Sequence, residues 1–120
     1  MKIIFESHGT TIDNEAKVGS GWRDVALSAT GQLQAKELGV RYAQSKIDAV
    51  FCSDLQRSFH TAQFAFSNID SKRLFLDWRL RECNYGDKTM HPAEEVDKEK
   101  FSRITVSSVL LTLSSPSGTR

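Results

Sequence analysis

Each of three short apolar runs in this 120-residue chain is followed by a side chain that can do chemistry. These side chains are the imidazole of His8, the guanidinium of Arg57 and the carboxyl of Glu82. An imidazole can act as a nucleophile or a base, a guanidinium can hold an anion with a planar set of donors, and a carboxyl can carry a proton. If the three groups converge in one crevice, they form a candidate catalytic site.

The elements that must position these groups follow from the apolar pattern. Three short apolar runs bounded by polar turns are typical of buried strands, and they cover residues 2–5, 47–52 and 74–76. Ser28 is predicted to cap a helix in which residues 35, 38, 39 and 42 share one face. Ser53 and Gln56 match a capping box, which predicts a second helix from Ser53 through residue 65, with Arg57 in its first turn.

Alternation of strands and helices at this spacing predicts a parallel sheet with helices on its faces. Ligands bind such sheets beyond the carboxyl ends of the strands, which is where His8, Arg57 and Glu82 are expected. The composition changes near residue 104, so the sequence predicts one domain over residues 1–103 and a Ser-rich tail over residues 104–120. Residues 92–100 are acidic and favour a solvated surface helix.

The composition excludes several classes of protein. Hydrophobic residues at 39% and charged residues at 26% are close to globular averages. The net charge of +1 without a basic run argues against a nucleic-acid partner, and no apolar stretch is long enough for a signal peptide or a membrane span. We therefore expect a cytoplasmic protein without a membrane partner. Cys52 and Cys83 lack a CxxC pairing and are predicted to be plain thiols, and no metal-ligand cluster is visible.

Three ordered motifs over residues 2–86 resemble those of histidine phosphatases, the family that includes the phosphoglycerate mutases. The first motif is Ser7-His8-Gly9-Thr10 with Asn14, followed by Ser20-Gly21-Trp22-Arg23-Asp24 and Leu27-Ser28-Ala29-Thr30-Gly31. The second is Phe51-Cys52-Ser53-Asp54-Leu55-Gln56-Arg57 and the residues that follow it, and the third is Trp78-Arg79-Leu80-Arg81-Glu82 with Tyr85-Gly86. The resemblance implies a phosphoglycerate mutase-like α/β fold, a three-layer αβα arrangement around a mainly parallel sheet.

The resemblance also implies phosphoryl transfer without a metal or another cofactor. His8 would attack phosphorus to form a phosphohistidine, and Glu82 would give a proton to the leaving oxygen. Trp78 and Tyr85 are apolar neighbours that could raise the pKa of that carboxyl.

Four residues are candidates for binding the phosphate or the rest of the substrate. Arg57 is the expected phosphate clamp, and Asn14 is an uncharged donor. Gly21 is either a substrate contact or, with Trp22, a turn and packing element. Ser7 stands where the family usually has an arginine, so one expected clamp is replaced by a hydroxyl.

The second half of the family pattern is absent. Family members carry a second histidine in a later motif, whereas no histidine follows His91 here. The sequence therefore predicts a truncated or frameshifted product. Loss of later strands would leave an open sheet edge, through which we expect a homo-oligomer.

The favoured function is hydrolysis of small phosphate esters through the phosphohistidine. The alternatives are a phosphomutase of the phosphoglycerate mutase type and a non-catalytic remnant that binds phosphorylated ligands. His8 could also be an ordinary loop residue, and Arg57 with Glu82 could form a surface ion pair. His60 and His91 match no motif position and are expected to face solvent.

Overall fold

The computed structural model describes residues 2–82, Met90, Pro92 and the strand over residues 108–113. Within these residues there are four strands: β1 (Lys2–Ser7), β2 (Ile47–Cys52), β3 (Leu74–Leu76) and β4 (Ser108–Leu113). The same described residues form three α-helices: α1 (Ile12–Glu15), α2 (Ala29–Arg41) and α3 (Gln56–Ala65). Short 3-10 turns at Ser71–Arg73 and Trp78–Leu80 flank β3.

The strands form one sheet in the order β1-β4-β2-β3. β2 and β3 pair in parallel, and β4 pairs antiparallel with both β1 and β2. β1, β2 and β3 therefore run in the same direction and end at the same edge of the sheet. The predicted α/β fold is confirmed: three of the four described strands run in the same direction, although two of the three strand pairings are antiparallel.

The Ser-rich segment contributes β4, the strand that lies between β1 and β2 in the sheet. Ser108–Leu113 lies between β1 and β2, with Leu110 opposite Phe5 on one side and Phe51 on the other. The sequence places this segment in a tail and predicts no strand there. The division of the chain at residue 103 stays a prediction.

The predicted helix after Ser28 is confirmed. The Ser28 hydroxyl accepts the N–H of Gly31 at 3.1 Å and caps α2. Ala35 and Leu38 are buried, whereas Lys36 and Arg41 are exposed on the opposite face. The 3.6-residue period therefore directs one face of α2 onto the sheet.

The start of α3 differs from the prediction. The helix begins at Gln56 after Leu55, and the Ser53–Gln56 capping box does not form. Instead, the carboxylate of Asp24 accepts the Gln56 backbone N–H at 2.8 Å, and the Gln56 side chain donates to the Asp24 carbonyl. The Ser53 backbone N–H donates to the hydroxyl of Ser58. A distant loop therefore caps α3, which a local pattern cannot reveal.

This distant cap gives a stability prediction. We expect Asp24→Ala to lower the free energy of unfolding by about 1 kcal/mol, because an unsatisfied helix N-terminus typically costs that much. Asp24→Asn keeps an oxygen acceptor and should retain most of the stability. Urea titration monitored by circular dichroism measures both, and Ser53→Ala, at the position of the expected cap, is the comparison. A larger loss in Ser53→Ala than in Asp24→Ala would contradict this assignment of the cap.

The core lies between one face of the sheet and the helices that cover that face. α2 and α3 contact each other, and both pack on the sheet through a buried cluster of Leu38, Val50, Cys52, Ala62 and Phe66. On the opposite face, Phe51 and Phe75 stack with ring centroids 5.0 Å apart. Phe5 on the edge strand β1 is 60% exposed.

The buried thiol in this core predicts a pH dependence. Burial raises the pKa of Cys52 to about 12, and the Asp54 carboxylate adds to the rise. An unfolded thiol ionises near pH 8.5. Between these values the unfolded chain has lost a proton that the folded chain retains, so the free energy of unfolding falls as pH rises.

We expect urea unfolding to show this loss between about pH 8.5 and 11. The pKa of Tyr42 is also raised, chiefly by its hydrogen bond to Glu6, and acts in the same direction at the upper end. Cys52→Ala should therefore flatten the slope without removing it. Identical slopes in the two proteins would be inconsistent with a buried neutral thiol.

Candidate active site

His8 lies directly after β1, at the carboxyl edge of the parallel strands. Its Nδ1 is 2.7 Å from the carbonyl oxygen of Gly9. Because a carbonyl only accepts, we assign the proton of a neutral imidazole to Nδ1. The lone pair then lies on Nε2, which is the nitrogen able to act as a nucleophile.

The loop that carries His8 is fixed by close backbone packing. A Cβ at Gly9 would lie 2.4 Å from the carbonyl oxygen of Gly31, and a Cβ at Gly31 would lie 1.9 Å from that of Thr10. The Gly9 N–H also donates to the Thr61 hydroxyl at 3.0 Å, which in turn donates to the Arg57 carbonyl at 2.6 Å. Glycine at both positions therefore lets the loop rest on α2, and Thr61 ties it to α3.

Arg57 is in the first turn of α3, as predicted, and its side chain is turned into the protein. The residue is 4% exposed. Its guanidinium donates to the carbonyl of Gly21 at 2.6 Å and to that of Arg23 at 3.0 Å. These bonds use two of the five N–H groups of a guanidinium. Gly21 has a positive φ of 57°, so a turn that glycine adopts readily presents its carbonyl to Arg57.

The buried carboxylate of Asp13 also holds the loop that contains Gly21 and Arg23. Asp13 is 3% exposed and accepts hydrogen bonds from the Ser20 hydroxyl at 2.8 Å and from Arg23 Nε at 3.1 Å. Burial of a charge is costly unless it is paired and hydrogen-bonded, and both conditions are met here. Sequence reasoning missed Asp13, because nothing in the local pattern marks it as buried.

Glu82 is also buried, at 7% exposure. Its backbone carbonyl accepts the indole N–H of Trp22 at 2.7 Å, across 60 positions of sequence. The preceding residue, Arg81, forms two hydrogen bonds with the Asp54 carboxylate at 2.6 and 2.7 Å. This contact with Arg81 holds the pKa of Asp54 below its usual value. The hypothesis of a surface pair between Arg57 and Glu82 is wrong, because both residues are buried.

A continuous path of contacts therefore joins the three motifs. It runs from Gly9, the neighbour of His8, through Thr61 to Arg57. From Arg57 it passes to the Gly21–Arg23 loop, and from Trp22 in that loop to Glu82. The topology thus brings together segments that are separated by up to 60 positions in sequence.

The remaining predicted binding residues are placed as follows. Asn14 completes the capping box of α1, whose N-cap is Thr11: the Asn14 Oδ1 accepts the Thr11 backbone N–H, and the Asn14 backbone N–H donates to the Thr11 hydroxyl, both at 3.0 Å. The amide protons of its side chain are thus the part that could contact a ligand. Ser7 and His8 line a cavity of about 380 Å³ that extends toward Gln34 and Arg41 on α2.

Several predictions lie outside the described residues. They concern Cys83, Tyr85, Gly86, His91 and, apart from Pro92, the helix expected over residues 92–100. Within the described part of the chain, no group of three or more His, Cys, Asp or Glu side chains could hold a metal ion. Among the same residues, no helix has the length and apolar character needed to cross a membrane. His60 is partly buried, with its ring tilted against that of Phe59.

Comparison with known proteins gives a consistent result. The sequence model of the histidine phosphatase superfamily (branch 1) matches residues 3–108. Phosphoglycerate mutase 1 of Saccharomyces cerevisiae is 37% identical over 111 residues, which cover 84% of this chain and 44% of that protein. The chain thus spans about half the length of the curated relatives it matches.

Solved structures agree with the sequence comparison. The α-ribazole phosphatase of Shigella flexneri has a TM-score of 0.69 at 28% identity, covering 84% of this chain and 52% of that one. The phosphoserine phosphatase of Entamoeba histolytica has a TM-score of 0.68 at 26% identity, covering 82% of this chain and 50% of that one. These likenesses show the shared fold, and the roles of His8, Arg57 and Glu82 stay predictions.

Proposed function

Because this chain belongs to the histidine phosphatase superfamily (branch 1), we propose that it hydrolyses small phosphate esters through a phosphohistidine on His8. The observation that supports this most is the path of contacts from the His8 loop through Arg57 to Glu82. A nucleophile, an anion clamp and a proton donor are the three groups that such a reaction requires.

In the first step, Nε2 of His8 attacks phosphorus. The nitrogen–phosphorus bond forms as the ester oxygen–phosphorus bond breaks, and Glu82 gives its proton to the leaving oxygen. The Nδ1 contact with the Gly9 carbonyl supports this assignment, because it orients the ring and stabilises the positive charge that the imidazole acquires. In the second step water attacks phosphorus, Glu82 accepts its proton, and His8 is released.

Arg57 would stabilise the charge on the transferring group. A guanidinium held by two backbone carbonyls loses little conformational freedom on binding an anion, which is the condition for effective electrostatic stabilisation. Asn14 and the Gly21 backbone N–H are the additional uncharged donors in this proposal. Ser7, at the position where the family usually has arginine, contributes a hydroxyl beside His8.

The names of the relatives fit a small phosphorylated substrate. They include enzymes named for phosphoserine, α-ribazole phosphate and phosphoglycerate chemistry. We favour hydrolysis over mutase activity, because Ser7 stands where the family usually has an arginine, and a weaker phosphate clamp favours water as the acceptor. No cofactor is part of the proposal, and the cytoplasmic location stays a prediction.

The test compares the purified chain with His8→Ala in p-nitrophenyl phosphate hydrolysis, with EDTA present. We expect metal-free turnover by the wild-type chain and none by His8→Ala. His60→Ala, which changes a histidine outside the motifs, is the matched control and should stay active. A folded wild-type chain that binds phosphate without turnover would instead support the non-catalytic remnant.

We further propose that the chain forms a homo-oligomer through β1. β1 pairs with β4 on one side, and no described strand covers its other side. Ile3 and Phe5 on this edge strand are exposed, and an open apolar edge favours pairing with another chain. Light scattering after size exclusion should show an oligomer. A monodisperse monomer with a cooperative melt would contradict this proposal.

A further inference from the structure

We propose that Trp22 is a positioning residue for Glu82, and that the Asp54–Arg81 ion pair holds Trp22 in place. This inference rests on the proposed role of Glu82 as proton donor. The side chains involved, those of Trp22, Asp54 and Arg81, have no chemical role of their own in the proposed reaction. Trp22 contacts the backbone carbonyl of Glu82, not its carboxyl group.

Glu82 lies shortly after a 3-10 turn and outside the described strands and helices. The turn Trp78–Leu80 ends before it, and Glu82 belongs to no strand or helix. Its carbonyl is therefore not held by a sheet ladder or a helical turn. The indole N–H of Trp22 reaches this carbonyl at 2.7 Å and supplies a fixed contact next to the Cα that carries the carboxyl side chain.

Trp22 is itself held by its neighbours, although it is 40% exposed. The Arg81 guanidinium lies 5.0 Å from the centroid of its ring, a cation–π distance. The Trp78 ring meets it edge-on, with centroids 6.4 Å apart. Asp54 fixes Arg81 with two short hydrogen bonds, so a planar ion pair lies over the indole.

Trp22 and Asp54 connect Glu82 to the segments that hold and carry Arg57. Trp22 lies between Gly21 and Arg23, whose carbonyls accept the guanidinium of Arg57. Asp54 lies in the loop just before α3, which carries Arg57 in its first turn. Trp22 and Asp54 therefore set the position of the proton donor relative to the phosphate clamp. A displacement of about 1 Å at a catalytic group can cost on the order of 10²-fold in rate.

Positioning of an acid has a consequence that general destabilisation lacks. An alkoxide leaving group needs a proton as the ester bond breaks, whereas p-nitrophenolate is a weak base and leaves without one. Loss of the Trp22 contact should therefore slow alkyl phosphates much more than p-nitrophenyl phosphate. A merely structural role would reduce both rates by the same factor.

The test is the ratio of kcat for glycerol 3-phosphate to kcat for p-nitrophenyl phosphate in the wild-type chain and three variants. Trp22→Phe keeps an aromatic ring but removes the N–H donor, and we expect it to lower this ratio by roughly 10-fold or more, with little change in KM. Arg79→Lys changes a side chain that pairs with Asp77 on the surface, and it should keep the wild-type ratio. Asp54→Asn weakens the hold on Arg81 and should shift the ratio in the direction of Trp22→Phe.

The outcomes separate this inference from the function on which it rests. Equal losses on both substrates in a folded Trp22→Phe protein would overturn the positioning role and leave the phosphatase proposal intact. A wild-type chain that hydrolyses neither ester would overturn both. Thermal melts of each variant establish that the protein measured is folded. If Trp22→Phe does not fold, the ratio of the two kcat values in Asp54→Asn tests the inference.

Discussion

Arg57→Lys should lower kcat/KM for phosphate esters by about 10² to 10³, the usual cost of losing a preorganised donor to a developing charge. Lysine keeps one positive charge but cannot donate to the carbonyls of Gly21 and Arg23 while also presenting a planar fork to phosphate. The turn at Gly21 would then lose its partner, so the free energy of unfolding should fall by about 1 to 3 kcal/mol as well.

Steady-state kinetics and urea titration on one preparation measure both effects. Arg79→Lys is the matched control, because Arg79 pairs with Asp77 on the surface and is expected to change neither quantity appreciably. An Arg57→Lys protein with near wild-type turnover would show that the guanidinium serves the fold alone.

Gly31→Ala, in the first turn of α2 where the helix contacts the His8 loop, should be strongly destabilising. In a helix, alanine is favoured over glycine by about 1 kcal/mol, so helix propensity alone predicts a gain. At this position the added Cβ would lie 1.9 Å from the Thr10 carbonyl oxygen and about 2.9 Å from two further backbone atoms. No side-chain rotation relieves contact with backbone, so α2 and the His8 loop must separate.

We expect a loss of about 1 to 3 kcal/mol or more, together with most of the activity, because the loop after β1 would shift. Thr30→Ala makes an exposed change in the same helical turn and should stay close to wild-type stability. Thermal melts of the two variants decide the matter. A Gly31→Ala protein as stable as wild type would mean that the loop and helix are not in close contact.

The sequence predicts what depends on local pattern. The strands at Ile47–Cys52 and Leu74–Leu76 form over the predicted residues, because short apolar runs between polar turns have few other conformations open to them. α2 forms with the predicted cap and face. Parallel strands that end at one edge of the sheet predict that His8, Arg57 and Glu82 converge, and this convergence stays a prediction.

Features that depend on distant contacts could not be predicted in this way. Asp24 caps a helix that starts 32 positions later, and Trp22 reaches Glu82 across 60 positions. The local sequence around Asp13 is typical of a surface position, but Asp13 is buried and accepts hydrogen bonds from Ser20 and Arg23. The sequence does not predict β4, because β4 pairs with two strands through its backbone groups. The composition of a Ser-rich segment does not reveal such pairing.

The most direct test of the account is to find the phosphoryl group on the protein. The chain is mixed with a phosphate ester, quenched in base, and examined by mass spectrometry and phosphorus NMR. We predict one acid-labile phosphoryl group on His8, attached to Nε2, because Nδ1 donates to the Gly9 carbonyl. A phosphoryl group on Nδ1 or on another residue, or turnover without any phosphohistidine, would contradict the account.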